Sequence, residues 1–159
     1  MIHYVKGDLL EGYCDCICHQ VNCQGRMGFG VAKQIRERYP EVYETYLRRY
    51  QKHCDNRYEP LLGTIDVVYI HNNDNVTAVI NMYSQDGYGR DGKRYTSYDA
   101  FADALHEIRQ VIPEGYKIGF PKNIGCGLGG GNWNVISALI EEILGDDYDI
   151  YIYELVTCN

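Results

Sequence analysis

With 159 residues, 45% of them hydrophobic, the chain is long enough for one globular domain with a single well-buried core, and the composition excludes disorder. No apolar run approaches the length of a membrane span and residues 1–6 lack the layout of a signal peptide, so a soluble, cytoplasmic chain is expected. A net charge of −7 argues against gripping nucleic-acid backbone, which needs a clustered basic face.

Residues 2–6 read as a short strand, turned out of the sheet by residues 7–10. Residues 13–21 become nearly continuous in apolar character, as expected of a strand buried on both faces. Cys14, Cys16 and Cys18 alternate within that run, which predicts three small apolar groups on one face. The seven cysteines include no C-x-x-C pair and their number is odd, so reduced thiols are expected, with no metal site and no cofactor.

Helical spacing covers residues 27–38, with Val31, Ala32 and Ile35 as the apolar stripe. Pro40 breaks the chain and suits the first turn of a second helix over residues 41–52. Residues 63–70 and 77–83 read as a hairpin around the turn-rich residues 71–75. Ser97 can cap a helix reaching about Val111, and Asn132 can cap one carrying Val135, Ile136, Leu139, Ile140 and Ile143. Strands over residues 116–121 and 148–156 complete the pattern. Strands and helices alternate on both sides of one hairpin, so the fold class is α/β, a single domain with a mixed, largely parallel sheet covered by helices.

Three glycine-bearing loops each follow a strand. Residues 125–131 hold five glycines in seven positions; residues 22–30 carry Gly25, Gly28 and Gly30; residues 84–96 carry Gly87, Gly89 and Gly92. Glycine can curl backbone N–H groups toward one point, and a following helix adds its positive end, so such loops suit an anion. In open α/β sheets ligands sit outside the carboxyl ends of strands, so the three loops are expected to line one crevice. The first loop is not the dinucleotide fingerprint, and Lys33 followed by Gln34 rules out a P-loop.

Tyr4 to Leu9, then His19 to Asn22 with Gly28 to Ala32, then Pro121, residues 124–128 and Trp133 together resemble a macro domain. The likeness runs over essentially the whole chain. It is greatest for the branch holding yeast-type ADP-ribose-1″-phosphate phosphatases and terminal ADP-ribose glycohydrolases. The resemblance implies a three-layer α/β/α sandwich over residues 1–159 and a pocket for ADP-ribose. It implies Asp8 as acceptor for the adenine amino group with Leu9 beside it, and Tyr153 against the adenine face. It places Asn22 on the distal ribose, Gly28, Gly30 and Val31 at the ribose and phosphates, and Tyr83 at the strand end nearby. Gly125, Cys126, Gly127, Leu128 and Gly129 match the diphosphate loop. Cys126 reads as a small wall residue rather than a nucleophile, because no activating base stands beside it in sequence.

His19 precedes the first loop, where phosphatase-like members also carry a histidine. With a pKa near neutrality it could act as general acid or base, with Asn22 as its partner in catalysis. A histidine merely buried at a strand end is the competing reading. The glycohydrolase branch uses a lysine after the strand that ends near Tyr83 and an aspartate after the Gly-Cys-Gly-Leu run; here Ser84, Gln85 and Gly129 stand at those places. A lysine-centred covalent route therefore lacks its nucleophile. Arg90, Lys93 and Arg94 of the third loop could reach a terminal phosphate, or simply face water. Three functions follow: hydrolysis of ADP-ribose-1″-phosphate, ADP-ribose binding without turnover, or release of ADP-ribose from a macromolecule by substrate-assisted water attack. The partners expected are ADP-ribose or a derivative and, in the third case, an ADP-ribosylated macromolecule; a membrane is not among them.

Overall fold

In the computed structural model, which describes residues 2–28, 30–71, 75–89 and 91–155, the first half runs β1 (Ile2–Lys6), a 3-10 turn (Leu9–Glu11), β2 (Cys16–Asn22), α1 (Gly30–Arg38) and α2 (Pro40–Asp55). It continues through β3 (Ile65–Tyr69), β4 (Ala78–Gln85), α3 (Tyr98–Val111), β5 (Lys117–Pro121), α4 (Trp133–Leu144) and β6 (Asp149–Glu154). The strands form one sheet in the order β1-β6-β5-β2-β4-β3, with only β3 antiparallel to its neighbour. β2 and β4 lie inside the sheet and are buried along almost their whole length, which is why both read as continuous apolar runs. β3 is an edge strand and shows alternation instead.

Helices cover both faces. Phe101, Leu105 and Ile108 of α3 and Ile136, Ile140 and Leu144 of α4 pack on Cys16, Cys18, Ile80, Ile118 and Ile150. On the other face Ile35 of α1 and Val42 of α2 meet Ile17, Val68 and Val79. The chain is thus the three-layer sandwich expected. None of the described helices is long and apolar enough to cross a membrane.

The caps follow the local chemistry. Ser97 Oγ accepts from Ala100 N at 3.1 Å and Asn132 Oδ1 from Asn134 N at 2.8 Å, each satisfying an otherwise orphaned helix donor. Pro40 opens α2, where its missing N–H costs nothing. Two expectations need correction. α1 begins at Gly30 rather than at Met27, because residues 23–28 are held in a loop by side-chain hydrogen bonds described below. Cys14 lies before β2 and packs with Leu9 and Ile17, on the opposite face from Cys16 and Cys18. The hairpin turn is described only at its ends, since residues 72–74 lie outside the described residues, as does Val156 beyond β6.

Because β2, β4 and β5 are parallel, their carboxyl ends share one edge of the sheet. The three glycine loops leave from that edge.

Candidate functional site

The loops after β2, β4 and β5 enclose a cleft of about 960 Å³, at the upper end of the range usual for small-molecule sites. Of the residues singled out in the sequence, His19, Asn22, Gly28, Gly30, Val31, Gly125, Gly127, Leu128 and Gly129 line it. Tyr88 and Gly89 of the third loop complete one wall, so all three loops do meet at one crevice. Arg26, Arg36 and Lys122 also line the cleft and give an acidic protein a local concentration of positive charge. Arg36 lies over the Tyr43 ring at 3.9 Å, and Lys122 pairs with Glu154 at 3.3 Å.

The first loop is folded around Asn22. Its Oδ1 accepts from Gln24 N at 3.0 Å, Arg26 N at 3.4 Å and the Tyr46 hydroxyl at 2.7 Å, and its Nδ2 donates to Arg26 O at 2.7 Å. The amide oxygen is therefore spent inside the loop, and one N–H is what Asn22 can still offer a ligand. This corrects the expectation of an amide free both to donate and to accept. Tyr46 is the residue that the sequence reading missed here: fully buried on α2, its hydroxyl also receives Arg26 N at 3.0 Å. Tyr46→Phe is expected to cost about 1–3 kcal/mol, the penalty of stranding buried partners, and to loosen the loop. Urea unfolding measures the first effect, and limited proteolysis at residues 23–28 the second.

The second loop turns at Gly125, whose φ of 73° favours glycine. Gly129 is a close approach: a Cβ there would lie 2.5 Å from Thr96 Oγ1 and 2.8 Å from Gly125 O. Thr96 Oγ1 donates to Gly125 O at 2.7 Å, while Tyr95 N and Thr96 N donate to Gly129 O at 2.7 and 2.9 Å. The third loop is thereby tied to the second. Lys93 and Arg94 do not line the cleft; Lys93 lies 3.9 Å from Asp91, and Arg94 stacks on Tyr98 at 4.4 Å. Arg90 lies outside the described residues.

Where the glycohydrolase branch carries its lysine, Ser84 is fully buried and donates to Gln20 Oε1 at 2.7 Å. Gln20 Nε2 in turn donates to Gln85 Oε1 at 2.8 Å and Thr96 Oγ1 at 3.0 Å. A neutral hydrogen-bonded cross-link therefore occupies the place of that lysine.

His19 is buried, and its Nε2 lies 2.5 Å from Asn81 Oδ1. Asn81 Nδ2 donates to Asp66 Oδ2 at 3.1 Å, which also accepts from the Tyr83 hydroxyl at 2.6 Å. Arg49 closes the chain with an ion pair to Asp66 Oδ1 at 2.7 Å. Burial lowers the His19 pKa from 6.5 to about 4, outweighing the opposing pull of Asn81 and Asp66. The expectation of a near-neutral pKa is corrected: His19 is a neutral imidazole at pH 7, able to accept a hydrogen bond or proton but not to serve as a standing acid. The unfolded chain takes up the proton first, so the stability is full above pH 6.5 and is lost progressively as pH falls to about 4. Urea midpoints measured across that window should fall more steeply for the wild type than for His19→Gln.

The remaining predicted residues lie apart from this cleft. Tyr83 is a core residue, stacked on Tyr46 at 5.8 Å with its hydroxyl committed to Asp66. Cys126 does not line the cleft but is half-buried against the main core, which corrects the expectation of a wall residue; burial pushes its thiol up, which does not suit a nucleophile. Leu9 is buried beneath Gly119. Asp8 caps the 3-10 turn, accepting from Leu10 N at 2.9 Å. Tyr153 stands near it on β6, its hydroxyl against Gly12, and its carbonyl accepts from Lys122 N at 2.8 Å. β1 and β6 are neighbours in the sheet, so Asp8, just beyond β1, and Tyr153, the register partner of Pro121, lie toward the same edge as the Pro121–Lys122 side of the cleft.

No family model matches the chain. The ADP-ribose 1″-phosphate phosphatase of Saccharomyces cerevisiae is 27% identical over 181 residues, covering 97% of this chain and 98% of that one. A DNA ADP-ribosyl glycohydrolase of Mycobacterium tuberculosis is 29% identical over 155 residues, covering 96% of this chain but 42% of its own length. The chain spans about half the length, or less, of several curated relatives it matches. Among solved structures, the macrodomain of Mycobacterium tuberculosis DarG superposes with a TM-score of 0.74 at 27% identity, covering 96% of this chain and 97% of that one.

Proposed function

Since the chain is a macro domain, we propose that its cleft binds ADP-ribose and that the protein hydrolyses the phosphate of ADP-ribose-1″-phosphate. The observation that carries this reading is the meeting of both glycine loops with His19 in one cleft. Loop N–H groups would hold the diphosphate, with Asp8 and Tyr153 at the adenine end. Arg26 and Arg36 would offset the charge of the terminal phosphate. Neutral His19 would take the proton of a water whose oxygen bonds to phosphorus, and return it to the ribose oxygen as the P–O bond breaks.

The test has two stages. Calorimetric titration with ADP-ribose, beside ADP and AMP, is expected to give selective binding of ADP-ribose in the micromolar range or tighter, in keeping with a pocket of this size. Phosphate release from ADP-ribose-1″-phosphate is then expected in the wild type and abolished in His19→Ala, with ADP-ribose affinity nearly intact. Turnover surviving in that variant would make His19 structural.

A second reading, binding without turnover, is favoured by the depressed His19 pKa, which leaves His19 without the proton that a standing acid would supply. Absence of phosphate release with binding retained would select it. Release of ADP-ribose from a macromolecule, the reaction class in the name of the mycobacterial relative, would here have to proceed without the lysine route. Ser84, Gln85 and Gly129 supply no nucleophile for it.

A further inference from the structure

We infer that Asp66, acting through Asn81, is a positioning residue that holds His19 as its Nε2–H tautomer and leaves Nδ1 as an acceptor for an O–H donor in the cleft. Asp66 pairs with Arg49 and also receives the Tyr83 hydroxyl, and a carboxylate offers only acceptors. Asn81 must therefore face Asp66 with its NH₂ group, which turns Oδ1 toward His19. An amide oxygen cannot donate, so the proton between them belongs to His19 Nε2.

Nδ1 then carries the lone pair. It is buried and has no partner among the described residues, although His19 belongs to the cleft wall. A buried acceptor of this kind calls for a donor. A phosphate dianion has none to give, whereas a ribose hydroxyl or a water does. His19, Asn81 and Asp66 are register partners on β2, β4 and β3, so the sheet and not a loop sets their spacing. The ligand part of this inference rests on the reading that ADP-ribose occupies the cleft.

Long-range proton–nitrogen NMR of the histidine rings in the full chain tests it. The wild type is expected to show a proton-bearing Nε2 and a bare Nδ1 for His19 at pH 7; the opposite tautomer, or a mixture, would overturn the inference. Asp66→Asn should convert the single tautomer into a mixture, while Tyr83→Phe, which removes only a side partner of Asp66, should keep it. Asn81→Leu serves the same end if Asp66→Asn does not fold, and an unchanged tautomer in the folded variant sinks the relay. Addition of ADP-ribose is expected to move the Nδ1 resonance. Calorimetric binding without that movement overturns the acceptor assignment and leaves ADP-ribose binding standing. Absent binding overturns the ADP-ribose reading alone, and the tautomers of the free protein and its variants still decide the relay.

Discussion

Asp66→Ala is expected to lower the stability of the fold by about 3–5 kcal/mol, the cost of removing one member of a largely buried ion pair. It is read as a fall in the urea midpoint at an unchanged slope. Asp66 is 8% exposed, and three groups depend on it. Arg49 would keep a mostly buried charge without its ion-pair partner. The hydroxyl of fully buried Tyr83 and the amide of fully buried Asn81 would lose their acceptor together. Arg49 would retain two weaker supports, Ile65 O at 3.1 Å and Thr64 Oγ1 at 2.9 Å. These soften the loss, and they explain why Asp66→Asn, which keeps an acceptor and the shape, is expected to remain folded. A loss under 1 kcal/mol in Asp66→Ala would mean that water reaches the network and that the chain from Arg49 to His19 is not a sealed unit.

How much of this was legible in the sequence depends on the range of the interactions involved. The glycine loops and the caps at Ser97 and Asn132 are local in origin, and each was readable from a few adjacent residues. The β-α order also pointed to a mixed sheet with ligand loops at one edge, because parallel strands must share a direction. The His19 to Asp66 chain was not readable. It depends on the register of three strands, and His19 and Asn81 stand 62 residues apart. One signal was present: Asn81 is an amide in the middle of an apolar run, and such a group needs a buried partner. Asn22 was misread for a related reason. An asparagine opening a glycine loop suits a ribose on chemistry alone, whereas here its oxygen is taken by Gln24 N and Arg26 N within the loop and by Tyr46, 24 residues away on α2. Tyr83 was drawn toward the ligand by its place at a strand end, yet it points to the face covered by α2 and into the core.

Gly129→Asp should abolish measurable ADP-ribose binding, a loss of at least about a hundredfold or roughly 3 kcal/mol, and also destabilise the fold by about 1–3 kcal/mol as overpacking does. The substitution installs the carboxylate that the glycohydrolase branch carries at this place, so a naive reading would have it gain activity. The geometry opposes that. A Cβ at residue 129 would meet Thr96 Oγ1 at 2.5 Å, Gly125 O at 2.8 Å and Gln20 Nε2 at 3.1 Å. Gly125 O is backbone, and Thr96 is pinned to it, so neither can step aside without opening the second loop. The third loop would move as well, since Tyr95 N and Thr96 N both rest on Gly129 O. Gly127→Ala is the control, because a Cβ there meets nothing within 4 Å; its stability should stay within about 0.5 kcal/mol of wild type, as for other changes away from packed features. Urea unfolding of the two variants, followed by ADP-ribose calorimetry, separates the outcomes. If Gly129→Asp folds and binds like the wild type, the loop has room that this geometry denies, and the steric ground for excluding the lysine–aspartate route disappears with it.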